Sequence, residues 1–283
     1  MDNKVNINWY PGHMTKAMRM MEADIKLIDL IIEIVDARIP VSSRNPDIDR
    51  LGKNKARLVL LNKSDLADKN DSESWRKHFV SEGIECLIID SKKGLGLKDI
   101  KNAVMKACKD KIERDRKKGI VNRPLRAMVC GIPNVGKSTF INAYAKKACT
   151  KTGNKPGVTK GKQWIRLDNT LELLDTPGVL WPKFDNVETG YHLAMIGSIN
   201  DEILHEDDIA LYILSFLCDN YPGRVNGRYN VAERDDCYDL LCSIGVAKNA
   251  LIKGGEVDVK KVSKMVIDDF RNGKFGYITI ERI

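Results

Sequence analysis

Gly131-Ile132-Pro133-Asn134-Val135-Gly136-Lys137-Ser138 follows an apolar stretch at 124–130 and precedes a helix-forming stretch at 137–147. The run fits G-x-x-x-x-G-K-[ST], a pattern that average composition yields by chance in roughly one chain in a hundred of this length. Its glycines let the backbone curl until several N–H groups face one point. The N-terminus of the following helix adds partial positive charge there. Such a loop cradles phosphates. Lys137 is placed to reach the β- and γ-phosphates and Ser138 to ligate Mg²⁺. Asn134, Val135, Gly136 and Thr139 complete the residues expected around them.

Working outward toward the C-terminus, Asp175-Thr176-Pro177-Gly178 ends the next-but-one predicted strand. A strand-end Asp followed by x-x-Gly meets two needs of a phosphate-transfer site. Asp175 can hold the metal through water, and the Gly178 N–H can bond a γ-phosphate and lose that bond on hydrolysis. Between the two motifs lies Lys155-Pro156-Gly157-Val158-Thr159-Lys160-Gly161, where Thr159 is the candidate to close on Mg²⁺ and the γ-phosphate.

Toward the N-terminus, Asn62-Lys63-Ser64-Asp65 follows a predicted strand at 57–61. A carboxylate such as Asp65 can accept from both the guanine N1–H and its 2-amino group, a pair that adenine does not offer. Asn62 is expected to bond the base edge and the phosphate loop, and the Lys63 stem to cover the base. After the next strand comes Asp90-Ser91-Lys92-Lys93-Gly94, from which Asp90 and Ser91 join the expected nucleotide-binding set. GTP, not ATP, is the expected ligand.

Predicted strands at 30–35, 57–61, 85–89, 124–130, 163–167 and 170–174 alternate with predicted helices at 14–26, 74–83, 98–118 and 137–147. That alternation implies an α/β fold: a mostly parallel sheet with helices on both faces. Beyond about residue 200 the pattern becomes helical, at 209–219, 233–244 and 259–271. The expected domains are 1–200 and 201–283, the second helical.

The net charge is +8, unevenly placed. Residues 92–126 carry thirteen Lys and Arg against four acids, and 145–166 carry seven against none, whereas 200–283 have a net charge of −4. Basic surface on the first two-thirds suits a polyanion such as RNA. Lys248, Lys253, Lys260, Lys261 and Lys264 make a local basic set in the acidic part. The seven cysteines are odd in number and show no C-x-x-C, so reduced, buried thiols are expected rather than disulfides or zinc. No apolar run is long enough to cross a bilayer and residues 1–8 lack a signal's apolar core, so a cytoplasmic protein without a membrane partner is expected. A monomer is expected, with no sequence feature that fixes the oligomeric state.

In Ras-like GTPases the phosphate loop comes first and the base-reading motifs last; here Asn62 and Ser91 precede Gly131. With Trp9-Tyr10-Pro11-Gly12-His13-Met14, Asp36-Ala37-Arg38-x-Pro40 and Ser43-Arg44-Asn45-Pro46, the chain resembles the circularly permuted GTPases, and among them the bacterial ribosome biogenesis GTPase A family. The resemblance spans about residues 9–200 and is looser beyond. It implies a permuted Ras-like domain, GTP hydrolysis stimulated by the ribosome, and a late role in assembling the large (50S) subunit, with rRNA and ribosomal proteins of its precursor as partners. Ras-like enzymes have a water-orienting Gln where this chain has Val179, so the resemblance points to His13 as the catalytic group. Capping of the following helix or RNA contact are its alternative roles. By analogy with potassium-dependent relatives, Asn134 is the expected K⁺ ligand. A switch that binds a protein effector through the C-terminal helices is the alternative reading.

Overall fold

The structure is a computed structural model and describes residues 12–120, 123–152, 164–167, 169–181, 184, 186–200 and 204–283, without the side chains of 13 and 147–152. Thr159 and the motif at 9–11 lie outside the described residues.

Strands β1 (Leu30–Asp36), β2 (Ala56–Asn62), β3 (Glu85–Ile88), β4 (Leu125–Cys130), β5 (Trp164–Arg166) and β6 (Leu171–Asp175) form one sheet in the order β3-β2-β1-β4-β6-β5. All neighbours are parallel except β5 and β6. Helices α1 (Gly12–Asp24), α2 (Pro46–Leu51), α3 (Lys69–Ser81), α4 (Ile100–Ala107), α5 (Lys109–Lys117) and α6 (Lys137–Thr152) cover the two faces. A strand covered on both faces must be apolar along its length, and every residue of β1 is buried. Its one internal acid, Glu33, is compensated: Oε2 accepts from Arg57 Nη2 at 2.9 Å and from Arg44 Nε at 3.2 Å.

The predicted helix at 74–83 begins five residues earlier, at Lys69. Asp68 caps it there, accepting the Asn70 and Asp71 N–H groups at 2.7 and 3.2 Å. The predicted helix at 98–118 is two helices. α4 buries Ile100, Ala103 and Val104, whereas α5 buries nothing, and the chain turns between them at buried Cys108. The helical spacing of apolar Ile100, Val104, Ala107 and Ile112 predicts one continuous helix; the turn divides it, and Ile112 on the Lys/Arg-rich α5 is only half-buried.

The described residues form two compact units, one running to Pro182 and taking in Thr279–Ile283, the other Lys183–Ile278. The compact units divide at 182/183, beside an expected domain boundary at 200/201, and the last five residues belong to the first unit. The second unit holds α7 (Val187–Met195), α8 (Glu206–Asn220), α9 (Arg224–Tyr229), α10 (Cys237–Ala247) and α11 (Val259–Arg271). α7 belongs there because Arg271 of α11 caps its last turn, donating to the Ala194 and Met195 carbonyls at 2.6 and 3.3 Å. Asp269 joins α9 to α11, accepting from Arg228 Nε at 2.8 Å and Nη2 at 3.0 Å and from the Tyr229 hydroxyl at 2.8 Å. None of the described helices is long and apolar enough to cross a membrane.

Cys86, Cys108 and Cys130 are buried, and burial pushes the first two thiols up to about 12. Cys218, Cys237 and Cys242 are only half-buried, contrary to the expectation of wholly buried thiols, because they lie on the amphipathic helices α8 and α10.

Asp36 closes β1 in full burial. Its Oδ1 accepts from Arg38 Nε, and its Oδ2 from Arg38 Nη2, each at 2.9 Å; Lys63 Nζ lies 3.0 Å from Oδ2. Burial alone pushes this carboxyl up, but the charges of Arg38 and Lys63 outweigh it and hold the group well below the usual carboxylate range. A depressed carboxylate stabilises the fold above its unfolded value and loses that contribution only as pH falls through the folded one. Asp36→Ala removes the bidentate carboxylate partner of the buried Arg38 guanidinium. The expected loss is about 3–5 kcal/mol, read from the urea midpoint at neutral pH.

Candidate nucleotide site

The motifs collect at the carboxyl ends of β4, β6, β2 and β3, where open α/β sheets bind ligands. The phosphate loop joins β4 to α6. Gly136 has φ +93°, and a Cβ there would collide with the Asn62 amide nitrogen, so only glycine serves. Asn134 also adopts a left-handed φ of +63°, which Asn tolerates. Its side chain, with those of Ser138 and Thr139, is exposed, whereas Val135 packs into the core. Lys137 Nζ pairs with the Asp175 carboxylate, bringing the phosphate-loop cation and the metal-motif acid into one site. The Ser138 hydroxyl and the Asp175 carboxylate are oxygen donors of the kind Mg²⁺ takes.

Asn62 connects three loops. It is 2% exposed; its Nδ2 donates to the Val135 carbonyl at 2.8 Å, and its Oδ1 accepts the Ser91 N–H at 3.0 Å. The expected bond from Asn62 to the phosphate loop is therefore present. Lys63 is held at φ +58°, a costly conformation for a residue with a Cβ, and its ammonium is tethered by Asp36. Ser64 donates its N–H to Ile89, at the end of the neighbouring strand. Asp65 is part-exposed, with Lys93 Nζ 3.5 Å away. Asp90 is buried and its Oδ1 accepts the N–H groups of Lys92 and Lys93 at 2.9 and 3.0 Å. Its carboxylate shapes the loop that presents Ser91. Lys92, where Ras-like loops have alanine, is exposed, and its backbone keeps the turn.

At the Asp175–Gly178 motif, Thr176 Oγ1 donates to the Val129 carbonyl at 2.8 Å. Gly178 lies against the phosphate loop: an added Cβ would be 3.1 Å from Pro133 N. Val179, 3% exposed, turns its side chain into the core. His13 is in the first turn of α1, with its side chain outside the described residues.

Two residues without an assigned role in the sequence reading belong to this site. Asp36 anchors Lys63, and Asn45 donates to the Val179 carbonyl at 3.0 Å. Both lie in short motifs of unusual composition, but their contacts join positions far apart in sequence. Among the described residues no group of three or more His, Cys, Asp or Glu could hold a metal.

From β4 outward, β1, β2 and β3, the last two carrying the Asn62–Asp65 and Asp90–Ser91 motifs at their ends, lie on one side and β6 and β5 on the other. With the phosphate loop on the central strand, this arrangement defines a P-loop GTPase whose chain order is circularly permuted. Residues 126–233 match the family described as 50S ribosome-binding GTPase. The chain is 46% identical to ribosome biogenesis GTPase A of Bacillus licheniformis, covering 98% of each chain. It is 47% identical to that of Priestia megaterium, covering 98% of this chain and 97% of the other. In fold it resembles the crystal structure of GNP-bound YlqF from T. maritima, with TM-score 0.66 and 24% identity, covering 94% of this chain and 98% of that one. The chain belongs to the ribosome biogenesis GTPase A family. It is a GTPase, and as in P-loop GTPases generally its nucleotide binds with Mg²⁺.

Asn62→Ala removes both buried bonds and leaves the Val135 carbonyl and Ser91 N–H unpaired. Affinity for GDP and for a GTP analogue is expected to fall alike, by about 10- to 100-fold, in a titration with fluorescent nucleotide.

Proposed function

We propose that this protein binds and hydrolyses GTP while engaged with a precursor of the large (50S) ribosomal subunit, assisting a late step of its assembly. The observation that carries the reading is the Asn62 bridge, which unites base and phosphate loops in a chain of this family. In this reading Asp65 takes the guanine N1–H and 2-amino group, the Lys63 stem covers the base, and the loop at Ser91 closes over its far edge. Asn134 to Thr139 hold the phosphates. Ser138, Thr159 and Asp175 hold Mg²⁺, which neutralises charge developing on the phosphates. Gly178 senses the γ-phosphate.

Hydrolysis needs a group to orient water, and Val179 supplies none, its side chain being buried and apolar. His13 takes that role, with an imidazole that orients the nucleophile or accepts its proton late in the reaction. Asn134 ligates K⁺ beside the phosphates. Partner contact falls to exposed cations. Lys248, Lys253, Lys260, Lys261 and Lys264 all reach solvent, three of them on α11. A second basic surface, lined by Arg116, Arg123 and Arg166, forms a cleft of about 730 Å³ at the edge of the sheet opposite the nucleotide motifs. The protein acts in the cytoplasm as a monomer.

Co-sedimentation with large-subunit precursors is the primary test. Retention with a GTP analogue and release with GDP is expected, weakening steeply as salt rises. Failure to co-sediment with either nucleotide overturns the ribosomal reading in favour of a protein effector of the C-terminal helices. In the stimulated turnover assay, His13→Ala is expected to abolish stimulation with GTP affinity intact, and exchanging KCl for NaCl to slow the unaltered protein. Undiminished turnover in either case removes the corresponding role.

A further inference from the structure

The segment between β1 and α2 runs along the nucleotide site from its base end to its γ-phosphate end. At its start Asp36 holds Lys63 of the base loop. At its end the Asn45 side chain uses both ends of its amide. Nδ2 donates to the Val179 carbonyl at 3.0 Å, and Oδ1 accepts the Asp47 N–H at 3.0 Å, capping α2. Asn45 is 3% exposed, so water does not compete for either bond. Val179 is thus held on both sides: its N–H donates to the Gly131 carbonyl at 3.3 Å, and its carbonyl is held by Asn45. The adjacent residue is Gly178.

The segment is itself braced in the middle. The Glu281 carboxylate accepts the N–H groups of Val41 at 2.6 Å and Ser42 at 3.0 Å, and the Arg38 carbonyl accepts the Ile280 N–H at 2.8 Å. Asn45 therefore acts from a fixed base. Helix capping alone does not require asparagine, since Asp and Ser cap as well. Aspartate lacks the donor half of the amide, and one serine hydroxyl cannot reach both partners; the asparagine spends its donor half on Val179.

We infer that Asn45 is a positioning residue for GTP hydrolysis: by holding the Val179 carbonyl it fixes the loop that aims the Gly178 N–H at the γ-phosphate. The inference rests on the proposed role of Gly178 as γ-phosphate sensor. GDP has no γ-phosphate, so the loss of this contact acts on the GTP state and spares the GDP state.

The test uses the full chain with Asn45→Asp and, separately, Asn45→Ser. Aspartate keeps the acceptor for Asp47 but has no donor, and the single serine hydroxyl cannot span both partners. Affinities for fluorescent GDP and a GTP analogue are measured with single-turnover hydrolysis. Hydrogen exchange at residues 175–180 is followed in the unaltered protein with each nucleotide. The expected result is GDP affinity within about twofold of the unaltered protein, analogue affinity weakened about five- to tenfold, and hydrolysis slowed at least as much. Unchanged analogue affinity and hydrolysis overturn the inference. Equal weakening toward both nucleotides also overturns it, leaving Asn45 a structural role alone. If the unaltered protein protects 175–180 equally with GDP and analogue, the sensor reading of Gly178 fails, and the inference falls with it. If the aspartate variant is insoluble, the serine variant decides by the same comparison.

Discussion

One buried amide holds the nucleotide site together. Asn62 closes β2, donates to the phosphate loop at Val135 and accepts from the loop at Ser91. These three segments come from three strands, and permutation has changed the order in which the chain visits them. Their places at one end of the sheet are set by the parallel pairing of β3 with β2, β2 with β1 and β1 with β4. A side chain with one donor and one acceptor, shielded from water, makes the loops mutually dependent. Gly136 completes that dependence: the Asn62 amide occupies the space where a Cβ would stand.

Around this amide two buried acids are charge-compensated. Glu33 meets Arg44 and Arg57, and Asp36 meets Arg38 and Lys63. Such sets contribute little net stability compared with apolar packing, but they tolerate few alternative arrangements. The set at Asp36 has a functional address. It tethers the ammonium of a lysine whose backbone is held at positive φ and whose stem is assigned to the base. The same segment ends at Asn45, against the loop that follows Gly178. The Asn62–Asp65 and Asp175–Gly178 ends of the candidate site thereby share one braced stretch of chain.

Most of the candidate site was legible in the sequence because the chemistry proposed for it depends on residue type at short, fixed spacing. A phosphate loop needs glycine where the backbone curls and lysine at the helix start. A guanine-reading carboxylate needs a strand end. These requirements survive permutation, so Gly131 to Ser138, Asn62 to Asp65 and Asp175 to Gly178 were readable without knowing where they meet. Asp90 was readable only in part: the sequence placed it in the right loop, but its buried carboxylate turns inward to form that loop. Asp36 and Asn45 were invisible as contributors, since their partners lie 27 and 134 positions away. The helix break at Cys108 and the helix start at Asp68 were missed for a local reason. Capping and turning can override a periodicity that continues in the letters.

The sequence by itself determined the class of fold, the nucleotide chemistry and the permuted order of motifs. Each follows from local residue patterns and their succession along the chain. Only the tertiary structure decided where the units divide and where the last five residues go. It alone brought Asp36 to Lys63 and Asn45 to Val179, and it alone turned Val179 into the core. Those outcomes depend on which distant surfaces pack together, and packing is chosen by the whole chain at once. The permuted order is thus plain from the sequence, whereas the buried side chains that let a permuted chain rebuild one site are found only in three dimensions.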